Sequence, residues 1–460
     1  MSEKRGEGTV ETTTLFINGR IVLPDGVYRA DLLVQGEKVQ GIICGGAVKA
    51  DQVVDVSGKV IFPGCIDSHV HMWAPGPNRY REDWQHGTRC AASGGITTVV
   101  DMPLSIPPVT DKNGFDIKYR EASAEAVVDF AFWGGLTPEC IENMPELDRL
   151  GCVAYKGFLS FANPDYPQVT DGYLVRGMRV AAGFQGLIGV HAENAEAADF
   201  GSRAYAMENG TDYSLYDSAR PWWVELEAIQ RAVLFATQTG ARLLINHMTI
   251  KEGAEFLKKA KGENPGIYVE TCPHYLIFTR EDYNRCGAFA KCNPPLRSAE
   301  NVEKMWDYIR DGTIDILGSD HGPYTDQEKD VNFWQALSGF GGYDACLPAL
   351  LTEGYHKRGI PLEKLAAVTS GNAAKILGLA PKKGNLLPGR DADFVILDLD
   401  REWVYDAMKS FTKNPSKKGL YHGMRMKGRV EATYVRGKLV YDGRDIMAEK
   451  GWGQYVPKQK

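Results

Sequence analysis

The sequence predicts an α/β protein: a (β/α)8 TIM barrel with a small β-sandwich built from both termini. Two observations carry that prediction. Eight short apolar segments are spaced through residues 63–385, and several are followed by helical patterns. Both ends of the chain share a different, β-rich texture, in which FINGRIVLPDG (16–26) and YVRGKLVYDG (434–443) look alike.

The elements follow in order. TLFINGRIVL, RADLLVQ, KVQGII and QVVDVSG read as short strands, with turns at Asn18-Gly19 and Pro24-Asp25-Gly26. The barrel strands are then expected in IDSHVH (66–71), ITTVVDMP (96–103), VDFAFWGG (128–135) and CVAYKGFL (152–159). They continue in LIGVHAE (187–193), RLLINHM (242–248), GIYVETCPHYL (266–276) and IDILGSD (314–320). WVELEAIQRAVLFATQTG and EGAEFLKKAKG carry helical periodicity. DADFVILDLD (391–400) and ATYVRGKLVYDG (432–443) return to strand texture. The expected domains are 1–62 with 386–445 for the sandwich, 63–385 for the barrel, and 446–460 as a tail. A doubly wound sheet is the competing architecture, but no GxGxxG follows a strand.

Composition narrows the class. The 460 residues are 43% hydrophobic and 24% charged, which excludes a disordered or collagen-like chain. The net charge is −6 with no basic stripe, so nucleic acid is not an expected partner. MSEKRGEGTVETTT is polar and lacks the apolar core of a signal peptide. No run of eighteen apolar residues occurs, so no membrane span is expected. Nine scattered cysteines without a CxxC pair fit a reducing, cytoplasmic setting.

The chemistry-bearing residues fall at strand ends. His69 and His71 are two apart, so period two puts them on one face of a strand. His191 and His247 end two further strand candidates, Asp320 ends the eighth, and Lys156 lies in the fourth. In a barrel, the C-terminal strand ends converge on one mouth. Singly, HxH is an ordinary strand pair, each lone histidine a core residue, and Asp320 a helix cap. Jointly they point to a metal centre. Lys156 has three readings: an ion pair with Asp320, a Schiff-base nucleophile, or a lysine that takes up carbon dioxide as a carbamate. In the third, four imidazoles, a carboxylate and a bridging carbamate would hold two metals and leave room for a hydroxide. Asp320 would move the proton to the leaving nitrogen of an amide-like C–N bond. Nitrogen and oxygen ligands suit Zn first, with Co, Mn, Fe or Ni as alternatives.

PGCIDSHVH, the lysine, the two single histidines and GSDHGP together resemble the amidohydrolase superfamily, over nearly the whole chain. Within it the chain is most similar to the cyclic amidases: allantoinases, hydantoinases, dihydropyrimidinases and dihydroorotases. GTRCAASGGITTVVDMPLSIPPVT and KCNPPLR are most similar to the allantoinases, whereas VETCPHYL and His247-Met248-Thr249 lean towards hydantoinases. The resemblance implies a binuclear site. One metal would lie on His69, His71, Asp320 and Lys156, the latter as N6-carboxylysine. The other would lie on Lys156, His191 and His247. It further implies ring amides meeting the main chain near Asn293 and Ser338-Gly339, a small-molecule cyclic amide as substrate, and a homo-oligomer, tetrameric or dimeric.

Two positions bear on the substrate. Dihydroorotases carry an arginine where this chain has Trp73, and hydantoinases a tyrosine where it has Phe161. Allantoinases do without that hydroxyl, so allantoin, opened to allantoate, is the first expectation. A hydantoin-like or dihydropyrimidine ring is the alternative. Ser105 and Gly322 depart from the allantoinase pattern without touching the metal positions. A ligandless scaffold relative is disfavoured because all six ligand positions are filled. The aromatic group Tyr213, Tyr216, Trp222 and Trp223 is a candidate subunit contact. The tail GWGQYVPKQK is expected to lie on a neighbour or to be loose.

Overall fold

The computed structural model describes residues 11–46, 48–161, 166–208 and 212–459. The polar start of the chain, residues 1–10, lies outside them.

The eight expected barrel strands form one parallel sheet in sequence order. They are β1 (Cys65–Val70), β2 (Ile96–Asp101), β3 (Asp129–Gly135) and β4 (Ala154–Phe158). β5 (Leu187–His191), β6 (Arg242–Ile245), β7 (Ile267–Thr271) and β8 (Ile316–Leu317) complete it. Most are buried on both faces, which is why they read as continuous apolar runs rather than alternating ones. The ring closes where His71 N donates to His321 O (2.7 Å) and Asp320 N donates to His69 O (2.9 Å). The last contact brings the two ends of the candidate site together through the main chain.

Helices cover the strands. α1 (Trp84–Ser93) begins where the Asp83 side chain accepts from His86 N. α2 (Trp222–Thr239) ends at Gly240, whose φ of 71° only glycine adopts cheaply. The seventh strand candidate proves shorter than read. It stops at Thr271, and Pro273 opens a helical turn over Pro273–Ile277, because proline suits the first helical position and lacks the N–H a central strand needs.

The sandwich mixes both ends of the chain. A six-stranded sheet orders Lys438–Tyr441, Arg425–Val435, Phe394–Val404, Val60–Pro63, Arg20–Leu23 and Gly26–Arg29. A four-stranded sheet of Lys38–Ile43, Asp31–Gln35, Thr13–Ile17 and Gln52–Asp55 packs on it. Phe16 sits edge-on to Phe394 (4.9 Å between ring centres) and to Tyr434 (5.1 Å) in the shared core. The two look-alike segments each fold as strand, tight turn, strand. Asn18 (φ 66°) and Arg436 (φ 49°) occupy equivalent places in the turns.

The tail departs from expectation. It runs under the barrel beside β3, with Phe130 N donating to Gln454 O (3.0 Å) and Val456 N to Phe130 O (2.8 Å). Tyr455 packs against Phe115 and Phe132, so the tail's aromatic residue is used within its own chain.

Candidate active site

The six expected ligand positions converge at the C-terminal mouth of the barrel. Asp320 Oδ1 lies 3.2 Å from His69 Nε2 and 3.1 Å from His71 Nε2. These three groups could hold one ion. On the other side His191 Nδ1 and His247 Nε2 are 3.2 Å apart. The His69 and His247 rings, 5.3 Å apart, join the two halves. Lys156, fully buried, stands in the same mouth.

The surroundings orient each ring. Glu270, on β7, accepts from His69 Nδ1 (2.8 Å), Ser68 Oγ (2.7 Å), Asn246 Nδ2 (3.1 Å) and His247 N (3.2 Å). His69 therefore presents Nε2 to the mouth. Glu193 accepts from His191 Nε2 (2.7 Å) and is clamped by Arg220 (2.9 and 2.6 Å), which leaves Nδ1 facing inward. Positive φ at Trp73 (57°), His247 (37°) and Asp320 (52°) places three non-glycine residues in a strained region, at about 1–3 kcal/mol each. Hydrogen bonds from Asp320 N to His69 O and from His247 N to Glu270 hold two of them.

Electrostatics favour ligation. Burial, and secondarily the Lys156 charge, pull His69 and His247 well below the ordinary imidazole range, so their lone pairs are free. Burial pushes Asp320 up, but His69, His71 and Lys156 together hold it well below the usual carboxylate range. Burial pulls Lys156 down to about 8, with Glu270 and Asp320 opposing. Its Nζ donates to Asn246 Oδ1 at 3.0 Å and, among the described residues, forms no ion pair with Asp320. The ion-pair reading of Lys156 is thereby corrected, and an amine poised near neutrality stands in its place. Four imidazoles, one anionic carboxylate and such an amine are a donor set that fits metal ligation.

A cleft of about 390 Å³ opens above these groups. Asn293, Ser338 and Gly339 line it, as do Trp73 and Phe161. Trp73 stacks on His71 (5.7 Å between ring centres), filling the space where a charged side chain was the alternative. Phe161 is 70% exposed at the rim. The interval after β5 supplies more than a surface loop. Its helix Ala195–Glu208 contributes Ala198 and Ser202 to the cleft. Tyr216 is buried there, donating to Asn293 Oδ1 at 2.5 Å, and Tyr213 stacks on Phe333. Of the proposed aromatic contact surface only Trp222 and Trp223 remain exposed, because Tyr213 and Tyr216 are used inside the chain.

Sequence reasoning passed over Glu270, Glu193, Arg220 and Asn246. Glu270 does carry a signal, as the lone charge within the apolar strand IYVET. Glu193 lies two residues after His191, but its Arg220 partner comes from 27 residues further on.

An eight-stranded barrel with these side chains at its mouth fits a metal-dependent hydrolase. The chain belongs to the amidohydrolase family, whose model matches residues 60–440, and that family is metal-dependent. It is accordingly an enzyme that hydrolyses amide-type C–N bonds. It is 38% identical to an allantoinase of Deinococcus radiodurans, across 94% of this chain and 96% of that one. It is 36% identical to an L-hydantoinase of Paenarthrobacter aurescens, across 96% of this chain and 97% of that one. Among solved structures it superposes on L-hydantoinase (dihydropyrimidinase) from Arthrobacter aurescens with a TM-score of 0.94. That match has 34% identity and covers 97% of this chain and 100% of that one. No described helix is long and apolar enough to cross a membrane.

Proposed function

We propose that this enzyme opens the hydantoin ring of allantoin to give allantoate. The carrying observation is the Asp320 carboxylate, set 3.1–3.2 Å from two imidazole nitrogens at the floor of a cleft sized for a small ring. Two divalent ions, zinc foremost, would be held by His69, His71 and Asp320 on one side and His191 and His247 on the other. Lys156, as a carbamate, would be shared between them. Bound there, such ions supply Lewis-acid polarisation of the ring carbonyl and a lowered water pKa.

The chain's own residues do the rest. Asp320, held anionic, accepts a proton from the attacking water and returns it to the departing ring nitrogen. Glu270 and Glu193 keep the rings of His69 and His191 aimed at the mouth. Asn293 and the Ser338-Gly339 main chain, which line the cleft, would meet the ring amides. Trp73 and Tyr324, 5.3 Å apart, wall one side of the cleft and limit the water that reaches the ring.

Allantoin is favoured by the allantoinase relatives and by Phe161, which offers no hydroxyl to a developing oxyanion. The L-hydantoinase neighbours support a second reading, a 5-substituted hydantoin. A substrate panel on metal-loaded enzyme separates them: allantoin, hydantoin, 5-substituted hydantoins, dihydrouracil and dihydroorotate. Allantoin turned over well above the rest supports the first reading, and a preferred 5-substituted hydantoin replaces it with the second.

The remaining assignments belong to the same proposal. The domains are taken as 1–62 with 386–445, 63–385 and 446–460. A homo-oligomer, tetrameric or dimeric, is read from the family resemblance and is checked by light scattering. A cytoplasmic location is supported by nine free cysteines, eight of them buried.

A further inference from the structure

Trp334 and Ala336 to Gly339 form one wall of the cleft. Two lysines hold this wall. Lys291 Nζ donates to the carbonyls of Phe333 (2.9 Å), Trp334 (3.1 Å) and Ala336 (2.8 Å). Lys329 Nζ donates to those of Leu337 (2.7 Å) and Gly339 (2.8 Å). Gly339 N in turn donates to Lys291 O (2.8 Å), and Gly322 N to Phe340 O (3.0 Å). From Ala336 to Phe340, Ser338 thus has the one carbonyl without a partner among the described residues.

Both lysines are buried, 5% and 3% exposed, and neither is in an ion pair with a described carboxylate. Burying a cation without a counter-charge is costly. Burial pulls both down, to about 7, with Arg220 adding to the effect on Lys291 and Lys291 to that on Lys329. A neutral amine has two N–H groups, and only the ammonium form has the three that Lys291 uses. Lys291 also lies over the ring of Tyr216 (5.4 Å), whose hydroxyl donates to Asn293. Both expected ring-contact points therefore depend on it.

We infer that Lys291 and Lys329 are positioning residues: two lysine clamps that fix the 333–339 main chain so that the Ser338 carbonyl stays free to receive a ring N–H. The inference rests on the reading that Ser338 and Asn293 meet the substrate ring.

The test uses metal-loaded holoenzyme with K329M and K291M, measured on allantoin and on hydantoin. K329M breaks two bonds and K291M three. For folded variants with unchanged metal content, KM should rise about tenfold or more on both rings, with kcat changed far less. The shared rise follows because the ring, not its substituent, would be contacted. K329R, which keeps charge and donors, should recover part of the loss. A folded K329M with full metal and unchanged KM overturns the inference, whatever K291M does. So does a loss confined to kcat. If the wild type opens hydantoin and not allantoin, the substrate reading fails, while the KM comparison on hydantoin still decides the clamp.

Discussion

The Glu270 carboxylate accepts a hydrogen bond from His69 Nδ1 at 2.8 Å, deep in the barrel, and this contact chooses which imidazole nitrogen faces the mouth. The same carboxylate receives the His247 main-chain N–H, so one buried anion sets a ligand position on each side of the site. Replacing it with glutamine keeps the shape, but the amide is a weaker acceptor and can turn its NH2 towards the imidazole. E270Q should lower metal affinity by about 10–100-fold, with activity returning in excess metal. Metal content after dialysis, read by mass spectrometry, checks this. Full retention of both ions would mean that the bond does not orient His69.

Asp320, whose side chain is largely buried, is held anionic by its imidazole neighbours and by Lys156. Its main-chain N–H closes the barrel, and its side chain does not. Asp320→Asn should therefore keep the fold, seen as an unchanged circular dichroism spectrum. Turnover should fall by at least about 100-fold, the lower range for a lost general acid–base group. Near-normal turnover would end the proton-transfer role.

Lys156 ties pH to assembly of the site. Its amine titrates near 8, pulled down from the ordinary lysine value chiefly by burial. Only the neutral amine reacts with carbon dioxide, and the neutral fraction grows as pH rises through that value. In metal-free protein, the rate of uptake of 13C-labelled carbon dioxide should climb from pH 6 towards about 8 and level off above it. Carbon-13 NMR would follow it, with Lys156→Ala as the blank. A rate flat across that range, or equal labelling of the blank, would contradict carbamate formation at Lys156.

The barrel was legible because parallel strands buried on both faces leave unbroken apolar runs, and four of the eight runs ended at a histidine or an aspartate. His69, His71, His191, His247 and Asp320 announced themselves through that placement. Glu270 did not, since one acid in IYVET is also what a partly exposed strand would show. Arg220, Lys291 and Lys329 were less visible still. Their partners are a distant glutamate and main-chain carbonyls, and no side-chain pattern encodes a carbonyl. The tail misled because Tyr455 reads as exposed until β3 is placed beside it.

A second buried cluster tests how the barrel is joined to the sandwich. Asp129, at the start of β3, and Asp391 and Asp393, on the return to the sandwich, have the spacing of a metal site. The centre is filled instead by Lys383 Nζ, 2.5, 2.9 and 2.7 Å from them, and Arg436 adds a second cation at Asp129 (3.1 Å). Each of these side chains is at most 7% exposed. Removing the lysine leaves three carboxylates facing one another with little water. K383M should therefore cost about 3–5 kcal/mol of stability, the usual penalty for stranding buried partners of an ion pair. The urea midpoint should fall, while KM of enzyme that remains folded should not move, since the cluster lies at the opposite end of the barrel from the cleft. An unchanged midpoint would show that the cluster does not join the two parts. A changed KM with an unchanged midpoint would instead connect it to the active site.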